Sequence, residues 1–310
     1  MNTPVILTAV LLLAACAAPQ AAVTDPAPTP PLAGEAEVAA AETAPLPGDV
    51  AHWAAPFTPF TVIGNTHFVG TRGIGAYLIT TARGHILIDG GPAQAAPVIA
   101  ANVAALGFAM RDVRILLNTH AHFDHSGGLA RLQRLSGAEV IASAADRAAL
   151  ESGRFPYGPA GAIVSPPVRV DSVIGDGEAV TLGGATLTAH LTPGHTPGCT
   201  SWSWRTRGGD GVERTVFLHC SATVAGQTLV PESYPGMVAD FRRTFERVRT
   251  IQADVFLANH PEFIGMEALR ARQSGGEANA FVDPTALGRF NERLAGAFEE
   301  ELARQQAAAR

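Results

Sequence analysis

The chain has 310 residues, 47% hydrophobic and 16% charged, enough for one globular domain with a sizeable core or two small ones. Its formal net charge is −6 and no run of arginine stands out, which argues against a nucleic-acid surface. All 22 basic residues are arginine, so a lysine nucleophile, a Schiff base or a lysine anchor for an anionic substrate is excluded.

Residues 1–16 read as an export signal. Residues 5–15 form an apolar run too short to span a bilayer, which needs about 20 residues. The run ends in Leu13-Ala14-Ala15-Cys16, similar to a bacterial lipobox. Lipidation at Cys16 would anchor an exported, periplasmic protein to the outer membrane, the one route to membrane attachment. Cleavage without lipidation stays open, because residues 1–4 carry no basic side chain. Residues 17–50 are rich in Ala and Pro, also without a basic residue, and read as a flexible tether. The folded domain is expected over residues 51–310.

Within it, residues 61–69 and 76–88 read as strands around turns at Thr71-Arg72-Gly73 and Ala82-Arg83-Gly84. The run His85-Ile86-Leu87-Ile88-Asp89 is a buried-strand pattern that ends in Gly90-Gly91-Pro92. Residues 94–106 are helical, with Val98, Ile99, Val103 and Leu106 on one side. Residues 114–118 are a strand, 128–135 a helix, 140–141 a strand and 144–150 a helix. Residues 151–167, rich in Gly and Pro, read as a long loop. Further strands are expected at 180–182, 186–191, 200–204, 216–218 and 255–258. Val238, Phe241, Phe245, Val248 and Ile251 have helical spacing. A last helix is expected to start at Asp283-Pro284, an N-cap followed by proline, with the stripe Leu287, Phe290, Leu294, Phe298 and Leu302. This order fits sheets covered by helices, in two halves.

The most informative stretch is His120-Ala121-His122-Phe123-Asp124-His125, directly after an apolar run. An extended segment sends alternate side chains to one face, so His120 and His122 point the same way at a strand mouth. His195, in Pro193-Gly194-His195-Thr196-Pro197-Gly198, and His260, in Asn259-His260-Pro261, also stand at strand ends. His120, His122 and His195 would form one three-ligand site; Asp124, His125 and His260 would form a second, each with room for water. Nitrogen and carboxylate ligands without thiolate favour zinc, with iron and manganese as alternatives. Two such ions would share and activate a solvent molecule. His52, His67, His85, His190 and His219 read as structural or surface residues. Cys199 and Cys220 either pair across adjacent strands or stay as two buried thiols.

Together these motifs, with Gly90-Gly91 after a strand, resemble the metallo-β-lactamase superfamily over roughly residues 60–265. The resemblance implies a mixed α/β fold, a four-layer αβ/βα sandwich with two Zn2+ at one edge of the facing sheets. Related lactonases and glyoxalase II place a bridging aspartate where this chain reads Phe217-Leu218-His219-Cys220-Ser221, so Ser221 occupies that slot. Two β-lactamase subclasses place a zinc-binding cysteine there. The pattern is similar to the third subclass, with three His at the first zinc and Asp-His-His at the second. The resemblance implies a β-lactamase acting on penicillins, cephalosporins and carbapenems. The alternatives are a lactone or thioester hydrolase on the same scaffold and a non-catalytic zinc-binding envelope lipoprotein. In this reading Asp124 ligates the second metal and orients the nucleophile. Ser221 and Thr223 meet the substrate carboxylate, unless they are ordinary strand-end polar residues. Asp89 either orients a ligand histidine or only forms the turn before Gly90. Tyr157 and Tyr234 are candidates for substrate contact from loops that rim the pocket. The expected partner is a small-molecule β-lactam, and the expected state a monomer.

Overall fold

The computed structural model describes residues 34–310. The expected export signal, Cys16 and the tether as far as residue 33 lie outside the described residues. Seven strands form the first sheet in chain order: β1 (Phe60–Ile63), β2 (Thr66–Phe68), β3 (Tyr77–Thr81), β4 (Gly84–Ile88), β5 (Val113–Leu117), β6 (Glu139–Ser143) and β7 (Ser172–Ile174). The first four are antiparallel, and β4 to β7 run parallel. The second sheet has β8 (Ala179–Leu182), β9 (Ala185–Leu191), β10 (Thr200–Arg207), β11 (Glu213–His219) and β12 (Val255–Ala258), in the order β12-β11-β10-β9-β8.

Strand alternation explains the layering. Ile86 and Ile88 face the second sheet, as do Ile115 and Leu117, and meet Trp202, Leu218 and Leu257 in one core. Leu87, Leu116 and Val140 face the other way, against the helices α2 (Ala96–Ala105) and α4 (Leu129–Ser136) through Ile99, Val103 and Leu132. On the far side, Phe217 and Phe256 face α6 (Met237–Arg249) and α8 (Ala286–Ala308) through Val248, Leu287 and Phe290. Two sheets buried on both faces and flanked by helices make the four-layer αβ/βα sandwich. The other helices are α1 (Glu35–Thr43), the single-turn α3 (Phe123–Ser126), α5 (Ala144–Ser152) and α7 (Met266–Ser274). No helix among the described residues is long and apolar enough to cross a membrane.

The connections put one set of strand ends on one edge. Parallel β4 and β5 deliver Asp89 and Asn118-Thr119-His120 there. β9, β11 and β12 share a direction and deliver the 192–198 loop, Cys220-Ser221 and Asn259-His260. Backbone bonds join the sheets at this edge: Thr200 N–H donates to Thr119 O at 2.8 Å and Gly75 N–H to Asn259 O at 2.7 Å.

The structure departs from the sequence pattern in β7 and α7, which form where no element was expected, and at three further places. Residues 34–50, the end of the expected tether, carry α1, whose Ala and Glu residues are good helix formers. Gln94 Nε2 donates to Ala41 O (3.0 Å) and Ala44 O (2.6 Å), and Arg154 pairs with Glu37, so this stretch lies against the domain. Gly64-Asn65 breaks the expected 61–69 strand into β1 and β2, with Gly64 at φ 53°. The N-cap position of the last helix is Thr285, not Asp283, and its side chain makes no capping bond; Asp283 lies two residues earlier and accepts from Thr285 N–H at 3.0 Å.

His219 is 1% exposed, packed edge-on to Phe217 and Phe290, and neither ring nitrogen has a hydrogen-bond partner among the described residues. Burial pushes its pKa down from 6.5 to about 4. The unfolded chain then binds more protons between those values, so the folded state loses stability as pH falls through that window, by about 3 kcal/mol at most. Denaturant midpoints measured from pH 7 to pH 4 should fall less steeply for His219→Phe than for the unaltered protein; equal slopes would contradict this account.

Candidate metal centre

The sheet edge gathers the six side chains singled out by spacing. His120, His122, Asp124, His125 and His195 are all buried, and the His260 side chain is 13% exposed. The rings of His120, His122 and His195 form a triangle with centroids 4.6 to 4.8 Å apart. Each can bring one ligand atom to within 4.8 Å of the others. Beside it, His125 Nε2 lies 3.1 Å from Asp124 Oδ2, His260 Nε2 lies 3.4 Å from that same oxygen, and the two Nε2 atoms are 3.3 Å apart. Ligands about 2.0–2.1 Å from a tetrahedral ion stand roughly 3.3 Å apart. The second set has this spacing. The two sets adjoin, since His120 and His125 have centroids 4.3 Å apart.

The free nitrogens point to a cation. The buried Nε2 atoms of His120 and His122 have no hydrogen-bond partner among the described residues. A buried polar atom without a partner costs about 1–3 kcal/mol, so two neighbours aimed at one point fit an ion between them. The outer atoms are held by the scaffold. His195 Nδ1–H donates to Thr223 O at 2.7 Å, leaving Nε2 for the triangle. His125 Nδ1 is 3.6 Å from Asp89 Oδ2, and His260 Nδ1 is 3.6 Å from Glu262 Oε1.

The electrostatics agree. Burial, with the neighbouring imidazoles, keeps His120 and His122 well below the usual 6.5, in the neutral form that ligates. Burial takes His195 down to about 4 against the pull of Thr223 O. Across the cluster, burial disfavours the Asp124 carboxylate, yet His125 and His260 outweigh it and hold the group well below 3.8. Burial likewise opposes a charged His125, and Asp124 and Asp89 still raise it to about 10. This half of the cluster attracts positive charge.

Asp89 does more than turn the chain. It adopts φ 64° and accepts from Thr119 N–H (2.7 Å), Thr119 Oγ1–H (2.7 Å) and Asn118 Nδ2–H (3.1 Å), which fixes the strand end that carries His120. Cys199 and Cys220 are joined in a disulfide with Cα atoms 5.9 Å apart, so neither offers a thiolate to the cluster. Ser221 Oγ lies 3.2 Å from Thr223 Oγ1, and Thr223 lines the cavity in front of the cluster. That cavity holds about 450 Å³, and Trp53, Phe123, Tyr157 and Gln227 also line it. Tyr234 does not: it is buried, with its hydroxyl donating to Asp240 Oδ2 at 3.0 Å.

Three contributors were not foreseen from the sequence. Trp53 and Phe155 pack on His260 and His122 at 5.3 and 4.2 Å. Trp53 lies in the one-turn 3-10 helix Ala51–Ala54 and Phe155 in a loop, neither long enough to show periodicity, so no local pattern marks them. Asp146, 2% exposed, binds the two loops that carry the triangle, and burial raises its carboxyl to about 6 against three donated hydrogen bonds. An acidic residue on the first turn of a helix reads as an ordinary dipole partner, which concealed its inward direction. His122→Ala should remove the ion of the triangle while the Asp124 set keeps its own, as measured by zinc content of the purified, folded variant; unchanged zinc content would contradict the assignment.

Comparison with known proteins agrees with this geometry. The family described as Metallo-beta-lactamase superfamily matches residues 69–208. The subclass B3 metallo-β-lactamase BJP-1 of Bradyrhizobium japonicum is 42% identical, with 84% of this chain and 98% of that one covered at a TM-score of 0.80. FEZ-1 of Legionella gormanii is 36% identical, with 82% and 98% covered at 0.78. A Cronobacter sakazakii metallo-β-lactamase named for a HARLDQ motif is 43% identical, with 82% and 98% covered at 0.78. This chain reads HAHFDH at its own cluster, so His122 and His125 are not guaranteed by overall similarity and rest on the contacts above. Curated relatives include the hydroxyacylglutathione hydrolases of Anaeromyxobacter dehalogenans (33% identical over 42% of this chain) and Methylococcus capsulatus (30% over 54%). The chain spans 42% and 55% of the length of these two relatives.

Proposed function

The chain belongs to the metallo-β-lactamase superfamily, and we propose that it is a monomeric β-lactamase that uses two zinc ions to open the amide of penicillins, cephalosporins and carbapenems. One observation carries the reading. Two complete three-residue ligand sets share one sheet edge, and a disulfide and a hydroxyl, not a carboxylate, follow β11 beside them. Zinc bound there would lower the pKa of water to about 7 and polarise the lactam carbonyl.

The chain's own residues supply the rest. Thr223 O fixes the ring of His195, and Asp89 holds the strand end of His120 and faces His125. Asp124 turns one carboxylate oxygen to both His125 and His260, which fixes its direction across the second set. The cavity of about 450 Å³ has the size of a drug-sized ligand site. Trp53, Phe123 and Tyr157 give it apolar walls. No arginine lines it among the described residues, and the chain has no lysine. The hydroxyl of Thr223, which lines the cavity, with Ser221 Oγ 3.2 Å behind it, is the donor assigned to the substrate carboxylate. Export to the periplasm, with Cys16 as a lipid attachment point, is part of this proposal. The lipobox-like Leu13-Ala14-Ala15-Cys16 and a disulfide suited to an oxidising compartment support it.

The hydroxyacylglutathione hydrolases among the relatives favour a second reading, thioester hydrolysis. Rates on nitrocefin, a carbapenem, an acyl-homoserine lactone and a glutathione thioester, with and without a chelator, separate the two. The β-lactams should turn over, stop with chelator and recover with zinc; preference for the lactone or thioester would overturn the proposal. Replacing both hydroxyls, Ser221→Ala with Thr223→Ala, should raise KM for a cephalosporin about 10- to 100-fold and leave kcat within a few-fold, since a hydrogen bond to a charged group contributes about 1.5–3 kcal/mol. An unchanged KM would remove these residues from the carboxylate.

A further inference from the structure

The triangle of His120, His122 and His195 is carried by two separate loops, one after β5 and one after β9. One buried carboxylate hydrogen-bonds to both of them. Asp146, on the first turn of α5, accepts from Ala121 N–H (2.9 Å) and from Thr196 Oγ1–H (2.9 Å) at Oδ2, and from Gly198 N–H (2.9 Å) at Oδ1. Ala121 lies between two of the imidazoles, and Thr196 follows the third. Gly198 precedes Cys199, which the disulfide ties to Cys220. A side chain at position 198 would collide with Ser143 and Asp146, so the loop can approach the carboxylate only as glycine.

No cation pairs with Asp146 among the described residues, although it is 2% exposed. A buried carboxylate without a counter-charge is unfavourable, and three donors with a helix N-terminus offset that cost. The donors that do so are the groups whose placement decides whether three imidazoles meet at one point. Ser143 Oγ accepts from Asp146 N–H at 3.3 Å and caps α5, so the clamp is fixed to the first sheet through β6.

We propose that Asp146 is a positioning residue that locks the loop of His120 and His122 to the loop of His195 and thereby sets the affinity of the first site for its ion. The inference rests on the metal-site part of the proposed function and is independent of the substrate. In Asp146→Asn one acceptor oxygen becomes an amide NH2, which cannot accept from a backbone N–H. Thr196→Val removes only the hydroxyl donor and keeps the shape.

Zinc affinities are read by competition with a chromophoric chelator, and His122→Ala and His260→Ala identify the two binding phases. Asp146→Asn should weaken the first-site phase by about 10- to 100-fold and leave the second unchanged. Thr196→Val should shift the same phase by a smaller factor, and it decides the matter if Asp146→Asn does not fold. A residue that serves only stability would lower the melting temperature of the metal-free protein without this selectivity. Unaltered affinity at the first site in the folded variants, or an equal loss at both sites, overturns the proposal. The readout is ion affinity, so absence of β-lactam turnover in the unaltered protein would sink the proposed activity without altering this comparison.

Discussion

Four buried imidazoles, His120, His122, His125 and His195, stand side by side, and some of their nitrogens have no partner among the described residues. Such a group is unfavourable on its own: burial strips each ring of water, and protonating one disfavours protonating the next. Something positive at the centre reverses the sign. A divalent ion would accept the lone pairs of the triangle, and Asp124 adds a carboxylate to the adjoining set. The architecture can be understood as the means of holding these groups at that edge until an ion arrives.

The holding is done mainly by acceptors behind the ligands. Thr223 O fixes one ring, Asp89 fixes the strand end that carries another, and Asp146 binds the two ligand loops to each other. Outer partners of this kind decide ring orientation and which nitrogen stays free. They work because their own backbone is rigid. β4 and β5 are central parallel strands of the first sheet, β12 pairs parallel with β11 at the edge of the second with all four side chains buried, and the disulfide sits directly beneath His120, whose Nδ1 lies 3.6 Å from Cys220 Sγ. The same disulfide removes a competing soft ligand from the site. An ion bound there would meet nitrogen and carboxylate, the donor set that suits zinc.

Much of this was legible from residues 120–125 alone, because ligand spacing on a short extended segment is a local property. His195 and His260 were legible for a related reason: each stands where an apolar run stops at a proline, which marks a strand end. The layering also followed from local pattern, as in Ile86-Leu87-Ile88, whose continuous apolar run requires cover on both faces. What was not legible depends on long-range contact. Trp53 reaches His260 across more than two hundred residues, and Asp146 looks like any acidic residue in a first helical turn. Helix α1 was missed for another reason. Its Ala-rich composition has high helix propensity but no apolar stripe, so composition alone suggested a tether; polar contacts to Gln94 and Arg154 place it on the domain.

The central claim is that six side chains hold a pair of adjacent ions. The most direct measurement is anomalous diffraction from crystals grown with zinc, recorded on both sides of the zinc absorption edge. The account predicts two peaks about 3.5–4 Å apart, one about 2.1 Å from nitrogens of His120, His122 and His195, the other bound by Asp124, His125 and His260. A single peak shared across all six residues, or density away from either set, would contradict it.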